Sequence, residues 1–302
     1  MAISLRFLVS IALALVCCLA GAEGASSAEG ELTGTLKKVN DTGVVTIGYR
    51  ESSIPFSYLS GKQPIGYSID LCQEIVDDIG RAVGRSDLAV RYKLVTSESR
   101  IPAVVAGEID LECGSTTANA ERRKEVDFSP TIYVSATKLM VRRGSPVRSF
   151  RDLGGRTVAV TAGTTNEVAV RALIERLKIP VEVLVARDHA EAFGMVRDGR
   201  AVALALDDVL LYGLIAAAGP EGAQYTVLND NLSYEPYGIM FRKGDPALAS
   251  LVANTFQRLA QTRELRWIYE HWFLKRLPTG ERLRIPMSEE LAHEFELLGL
   301  GD

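Results

Sequence analysis

The feature that most constrains this chain is a β-α-β alternation that runs once, breaks, and begins again. VVTIGY (44–49) is an apolar run of strand length, and a helical pattern follows with Cys72, Ile75, Val76, Ile79 and Val83 on one face and Ser68 placed to cap it. LAVRYKLV (88–95) alternates as a strand does, RIPAVVAG (100–107) has the length of a short helix ended by Gly107, and IDLE (109–112) is the next strand. This order predicts an α/β lobe with a parallel sheet covered by helices. The pattern restarts with the strand TVAV (157–160), the turn AGTTNE (162–167) and a helix through Leu177 for which Thr165 is the expected cap. The strand VEVLVA (181–186), the helix DHAEAFGMVRDG (188–199) and the strand AVALAL (201–206) complete a second lobe.

The chain then returns. YGIMFRK (237–243) reads as a strand rejoining the first lobe, and the helical patterns of 246–260 and 263–273 finish it. The expected organisation is a leader at 1–22, a first lobe at 31–138 and 239–276, a nested second lobe at 139–238, and a C-terminal extension at 277–302. That extension carries one more helical pattern, SEELAHEFELLG, and is expected to pack loosely on the outside. Crossings near 137–142 and 237–242 lack long linkers. Two short crossings make a hinge, and a cleft between two α/β lobes is a preferred place for a small-molecule site.

The first residues carry one positive charge, Arg6, and then the apolar run FLVSIALALVCCLA before Ala20-Gly21-Ala22. That is the pattern of a secretory signal, and the run is short for a bilayer span. Cys17 and Cys18 raise a lipoprotein reading, but the residues before them are not the small ones such processing needs. Loss of Arg6 takes the formal charge from −4 to −5. Export would place Cys72 and Cys113 where a disulfide is permitted; two separately buried thiols are the plainer expectation. A 47% apolar, 24% charged chain is in the globular range, and its scattered Lys and Arg give no nucleic-acid surface.

None of the three histidines, His189, His271 and His293, falls in a metal-ligand spacing, and no phosphate-binding, dinucleotide-binding or nucleophile-elbow motif occurs, so no cofactor or metal is expected. What stands out is arginine beside small hydroxyl residues after strands: Arg50 in GYRESSIPFSY, Ser97 and Arg100 in TSESRIP, Ser115, Thr116 and Thr117 after IDLEC, and Arg122 in NAERRKEVDFS. Ligands of open α/β sheets sit beyond the carboxyl ends of the strands. Guanidinium grips carboxylate with two parallel hydrogen bonds, and hydroxyls and helix N-terminal amides add donors. Three arginines around one cleft call for more than one negative group, as in an acidic amino acid, and Asp207 after AVALAL could accept from its ammonium. Each residue also has a plainer role: a solvated arginine, a turn-forming Ser or Thr, a polar surface His189, Asp207 or Asp208 as a helix cap. Only their shared placement argues for a site.

The segments GYRESSIPFSYL (48–59), TSESRIPAVVAGEIDLECGSTTANAERRKEVDFSPTI (96–132), VTAGTTNEVA (160–169) and EPYGIMFRKGDP (235–246) resemble the periplasmic glutamate/aspartate-binding proteins of ABC transporters, and the resemblance runs over essentially all of the mature chain to about Phe273. It implies a type II periplasmic binding protein fold, a monomer that takes up L-glutamate or L-aspartate in the periplasm, and the transporter's permease and ATPase as partners. It further implies that Arg122, Thr117 and Thr165 hold the α-carboxylate, Asp207 and Ser115 the ammonium, and Arg50, Ser97, Arg100 and His189 the side-chain carboxylate. Cys72 departs from what that family's helix would lead one to expect. Two other functions share the scaffold. An exported dehydratase-like enzyme would need an acid/base over the reacting carbon, and His189 and Asp207 already have binding roles. A sensor module would differ only in its partner.

Overall fold

The computed structural model describes residues 32–300; the expected leader at 1–22, with Arg6, Cys17 and Cys18, lies outside the described residues. Helix α1 (Gly34–Thr42) leads into β1 (Val44–Tyr49), the strand expected from VVTIGY. A small antiparallel sheet follows, β2 (Ser52–Ser53), β3 (Ser57–Ser60) and β4 (Gln63–Ile65), whose short polar strands carry no readable periodicity. Helix α2 (Tyr67–Ala82) buries the expected stripe of Cys72, Ile75, Val76 and Ile79. Its cap is Gly66 rather than Ser68. Gly66 has φ 142°, and a Cβ there would lie 2.2 Å from the Phe56 carbonyl oxygen, so glycine alone lets the chain enter the helix at this point. Ser68 is buried, and its hydroxyl donates to the Gly114 carbonyl at 2.7 Å.

The first lobe continues with β5 (Ala89–Leu94), α3 (Arg100–Val105), β6 (Leu111–Glu112) and β7 (Val126–Phe128). The chain then enters the long β8 (Tyr133–Arg142), β9 (Arg156–Thr161), α4 (Thr165–Leu177), β10 (Val181–Ala186), α5 (His189–Arg197), β11 (Ala203–Asp207), α6 (Asp208–Ala217), β12 (Tyr225–Val227) and β13 (Tyr234–Tyr237). It returns through β14 (Met240–Arg242) to α7 (Pro246–Gln261), α8 (Glu264–Phe273) and α9 (Glu289–Gly299). Thr164, not Thr165, caps α4: its side chain accepts from the Glu167 amide, which leaves Thr165 free to face the cleft.

Two sheets carry the molecule. The first has the order β5-β1-β6-β14-β7, with β5, β1 and β6 parallel and β14 antiparallel to its neighbours. The second has the order β10-β9-β11-β8-β12, with β13 also on β8; β10, β9 and β11 are parallel. Each sheet packs into an apolar core: Leu139, Val158 and Val160 with Leu173 of α4 in the second, and Val126 and Met240 with Val104 of α3 and Ile109 in the first. Within β8, residues 133–136 pair with β13, and residues 137–142 pair with β11 and β12. The return crossing falls between Tyr237 and Met240. Tyr133 and Tyr237 are register partners, and both pack into an aromatic cluster with Phe56 and Phe273, at ring separations of 5.1–5.9 Å.

Two expectations are corrected. Cys72 on α2 and Cys113 after β6 are joined in a disulfide across 41 residues, not separately buried. The helix and the strand end are laid face to face by sheet packing, which no local pattern reports. The C-terminal extension does not pack loosely either. Helix α9 lies on α7 with Leu291 and Phe295 buried, and the Tyr269 hydroxyl and the Phe273 carbonyl bond the backbone at Ile285.

Candidate binding site

Most chemistry-bearing residues of the cleft stand at or beyond the carboxyl end of a parallel strand, where backbone groups leave the ladder and side chains can converge. On the first sheet, Arg50 follows β1 and is held by its amide donating to Ser57 Oγ at 2.9 Å. The turn after β5 is closed on itself, the Thr96 amide donating to Ser99 Oγ at 2.9 Å and the Ser99 amide to Thr96 Oγ1 at 3.0 Å; this fixes Ser97 and starts α3 at Arg100. Ser115, Thr116 and Thr117 follow β6, and Thr117 forms a β-bridge to Tyr237. The Arg122 amide donates to Asn119 Oδ1 at 2.9 Å, in a tight turn.

On the second sheet, Thr161 ends β9 and Thr165 opens α4. His189 opens α5 behind its cap Asp188, and Asp207 ends β11. The two sides meet at Gly163, whose φ is +71°; a Cβ on it would lie 2.7 Å from the Cα of Glu98, so only glycine permits this approach.

Seven of the nine expected residues, Ser97, Arg100, Ser115, Thr117, Thr165, His189 and Asp207, line one small cavity, together with Thr164, Asn166 and Leu210. Arg50 and Arg122 do not line it and stand at its flanks. Arg50 borders a neighbouring recess with Thr96, Arg187 and Asp188, and Arg122 spans the cleft, its Nη1 donating to the Thr117 carbonyl at 3.0 Å and its Nη2 to the Gly163 carbonyl at 3.3 Å.

All three guanidiniums are buried, at 2%, 3% and 9% exposure for Arg50, Arg100 and Arg122. Desolvation, and then the charge of Arg100, push Arg50 down to about 10 and Arg122 down to about 9; burial also lowers Arg100. Burial, reinforced by Arg50 and Arg100, holds His189 well below the usual imidazole range, so it is neutral, and its Nδ1 is 2.9 Å from Thr161 Oγ1. Burial, and then Glu235, raise Asp207 to about 7; Asn166 Nδ2 donates to its Oδ1 at 2.7 Å and the Tyr237 hydroxyl to its Oδ2.

Four residues of this network were not read from the sequence. Glu235 on β13 accepts from Thr117 Oγ1 and Thr165 Oγ1, both at 2.7 Å, so it ties the two sides together. Glu112 ends β6 and is fully buried, and Asn166 and Tyr237 hold Asp207. The available signal was the alternation of acidic and apolar residues in IDLEC, with Asp110 and Glu112, and a further acid in SYEPYG. Buried carboxylates need partners, and those partners are remote in sequence.

Together, two lobes, a short double crossing and a small polar cleft rich in carboxylate donors define a hinged receptor for a small anionic solute. The family model for bacterial extracellular solute-binding proteins, family 3, matches residues 45–275, and the chain belongs to that family. It is 44% identical over 264 residues to the L-glutamate/L-aspartate-binding protein of Pseudomonas aeruginosa, covering 86% of this chain and 87% of that one. It is 37% identical over 289 residues to the glutamate/aspartate import solute-binding protein of Escherichia coli K12, covering 95% and 93%. An ancestral arginine-binding protein solved with arginine superposes with a TM-score of 0.68 at 27% identity, over 76% of this chain and 98% of that one. The fold is the type II periplasmic binding protein fold.

Proposed function

We propose that this chain captures an acidic amino acid, L-glutamate or L-aspartate, in the periplasm after loss of residues 1–22, and delivers it as a monomer to the permease and ATPase of an ABC transporter. The observation that carries this reading is a cluster of buried donors on one wall. Arg50 Nη1, Ser97 Oγ, Arg100 Nε and Ser115 Oγ have no hydrogen-bond partner in the protein. A ligand carboxylate is the acceptor that would satisfy them, and two carboxylates use three arginines better than one. The names of the Pseudomonas and Escherichia relatives point the same way.

In this reading Arg122 grips the α-carboxylate, with Thr117, Thr165 and the amides opening α4 beside it. The two threonine hydroxyls, which donate to Glu235 in this arrangement, would turn toward the ligand. Asp207 and Ser115 accept from the ammonium. Arg50, Ser97, Arg100 and His189 receive the side-chain carboxylate, His189 through Nε2–H if Thr161 donates to Nδ1. His189 and Asp207 are each held by neighbours and committed to binding, which favours a receptor over an enzyme on this scaffold. The lobes divide as a first lobe of two segments around a nested second one, and they close about the ligand.

Titration of the purified mature chain with the common amino acids, followed by calorimetry, tests this. Glutamate or aspartate should bind first. Glutamine should bind roughly 30-fold to several-thousand-fold more weakly, the equivalent of about 2–5 kcal/mol for a buried charge left without its partner. Glutamine within about threefold of glutamate removes Arg50 and Arg100 from the distal carboxylate. Binding of no amino acid ends the reading altogether.

A further inference from the structure

Glu112 is fully buried at the end of the central strand β6, directly behind the wall that carries Arg50 and Arg100. Its Oε2 accepts from Thr116 Oγ1 at 2.5 Å, and that hydroxyl accepts from Arg100 Nη1 at 2.7 Å, so carboxylate and guanidinium are joined through one hydroxyl. Its Oε1 has no hydrogen-bond partner in the protein. The stem of Arg50 borders the same space: a Cβ on Gly114 would lie 2.3 Å from Glu112 Oε1 and 3.1 Å from Arg50 Cγ. Glycine at 114 lets the carboxylate and the arginine stem share that space. Among the described residues, no ion pair within 4.0 Å joins Glu112 to either arginine.

Two buried guanidiniums repel each other, and a buried charge without compensation is costly. Of the carboxylates acting on Arg100, Glu112 acts most strongly, and it leads those acting on Arg50 as well. The other acid near Arg50, Asp188, caps the cleft end of α5; it is only partly buried and pairs with Arg187 at 3.4 Å. His189 adds no charge because it is neutral. The distal end of the cleft therefore holds two buried positive charges, and Glu112 is the fully buried carboxylate that acts on both.

We propose that Glu112, which touches no ligand, is the positioning counter-ion that offsets part of the charge of Arg50 and Arg100 behind the distal subsite, so that the subsite is matched to a single side-chain carboxylate and not to a neutral amide or a dianion. This rests on the acidic amino-acid reading above and adds the residue that tunes its selectivity. Replacing Glu112 by glutamine keeps shape and hydrogen bonding but leaves two uncompensated positive charges. Glutamate then under-compensates them, and a doubly charged side chain becomes the better match.

The probes are L-glutamate and O-phospho-L-serine, whose phosphate carries close to two negative charges at pH 8 because its second ionisation lies near pH 6. Calorimetry on the wild-type chain should show glutamate tighter by about tenfold or more. In Glu112→Gln glutamate should bind at least as tightly as to the wild type, since the carboxylate loses a like charge behind the wall, and its advantage over O-phosphoserine should fall by about tenfold; Glu112→Asp, which keeps the charge, should hold the wild-type ratio within about threefold. A ratio that Glu112→Gln leaves unchanged overturns the proposal, since a merely structural role would weaken both ligands alike. If Glu112→Gln does not fold, the ratio is read on the wild type at pH 5 and pH 8. It should rise about tenfold as the phosphate gains its second charge, and a flat ratio overturns the proposal. Changes at Asp207 cancel in that ratio because both ligands carry the same ammonium. Wild-type protein that binds no glutamate fails the proposed function itself and takes this inference with it.

Discussion

On the side of the first sheet, the donors Ser97 Oγ, Arg100 Nε and Ser115 Oγ in the cavity, and Arg50 Nη1 at its flank, are buried without a partner in the protein. On the facing wall, Thr161, Thr165, Asn166, His189 and Asp207 all have side-chain hydrogen bonds, within that wall or to Glu235, Thr137 and Tyr237. The same cavity thus has one wall that demands an external acceptor and one whose polar groups are already satisfied. A buried donor left unmade costs about 1–3 kcal/mol, and several lie side by side here. On the proposed reading, the difference gives the walls separate tasks: the first supplies the unmet donors for the anion, and the second is already pre-organised before it meets the ligand.

Arg122 is where this contrast can be broken most severely, because its guanidinium touches a carbonyl on each side, Thr117 and Gly163. Arg122→Ala should abolish binding of every amino acid. The expected loss is roughly 3–5 kcal/mol, the cost of leaving a buried charge unpaired, or about 10²- to 10⁴-fold at about 1.4 kcal/mol per tenfold. Near-normal affinity by calorimetry would mean that the walls close without it.

The recognising wall is also the cross-linked one, since Cys113 directly precedes Gly114 and Ser115. Cys72→Ser opens a 41-residue loop and should lower stability by about 4 kcal/mol on the chain-entropy account, measured by denaturant titration. Affinity at a temperature where the variant stays folded should change far less. A larger loss of affinity than of stability would show that the disulfide positions the wall instead of stabilising the lobe.

The smallest effect belongs to the pre-organised wall. Asp207 is raised to about 7 by burial and Glu235. A ligand ammonium favours the carboxylate and lowers that value, so between the two values the free protein holds more protons than the complex. Binding then releases protons, and affinity rises with pH up to about 7 and levels off, by at most about tenfold, or about 1.4 kcal/mol, per pH unit. Calorimetry at pH 6 in buffers of different ionisation heat should detect the release, and Asp207→Asn should remove it. An unchanged heat across buffers would remove Asp207 from the ammonium subsite.

Much of the architecture was legible because it is local. The strand expected at 44–49 is β1, and that expected at 181–186 is β10. Strands of alternating or continuous apolar residues and helices of period 3.6 announce themselves over a few residues. The small β2-β3-β4 sheet and the long β8 were missed, since neither carries a clean period over its length. Arginines and hydroxyls after strands were legible for the same reason, because strand ends can be read and ligands gather there.

The sequence by itself determined the two alternations, the apolar faces that make each lobe fold, and the supply of donors at strand ends. Tertiary structure alone decided which of those donors meet and which acids stand behind them. Thr117 reaches Glu235 across 118 residues, and Cys72 reaches Cys113 across 41. Such pairings depend on how sheets stack and where the chain crosses between lobes. A carboxylate in a buried strand has the same local sequence whether it faces a guanidinium or a methyl group, so its partner is fixed only when the lobes are packed.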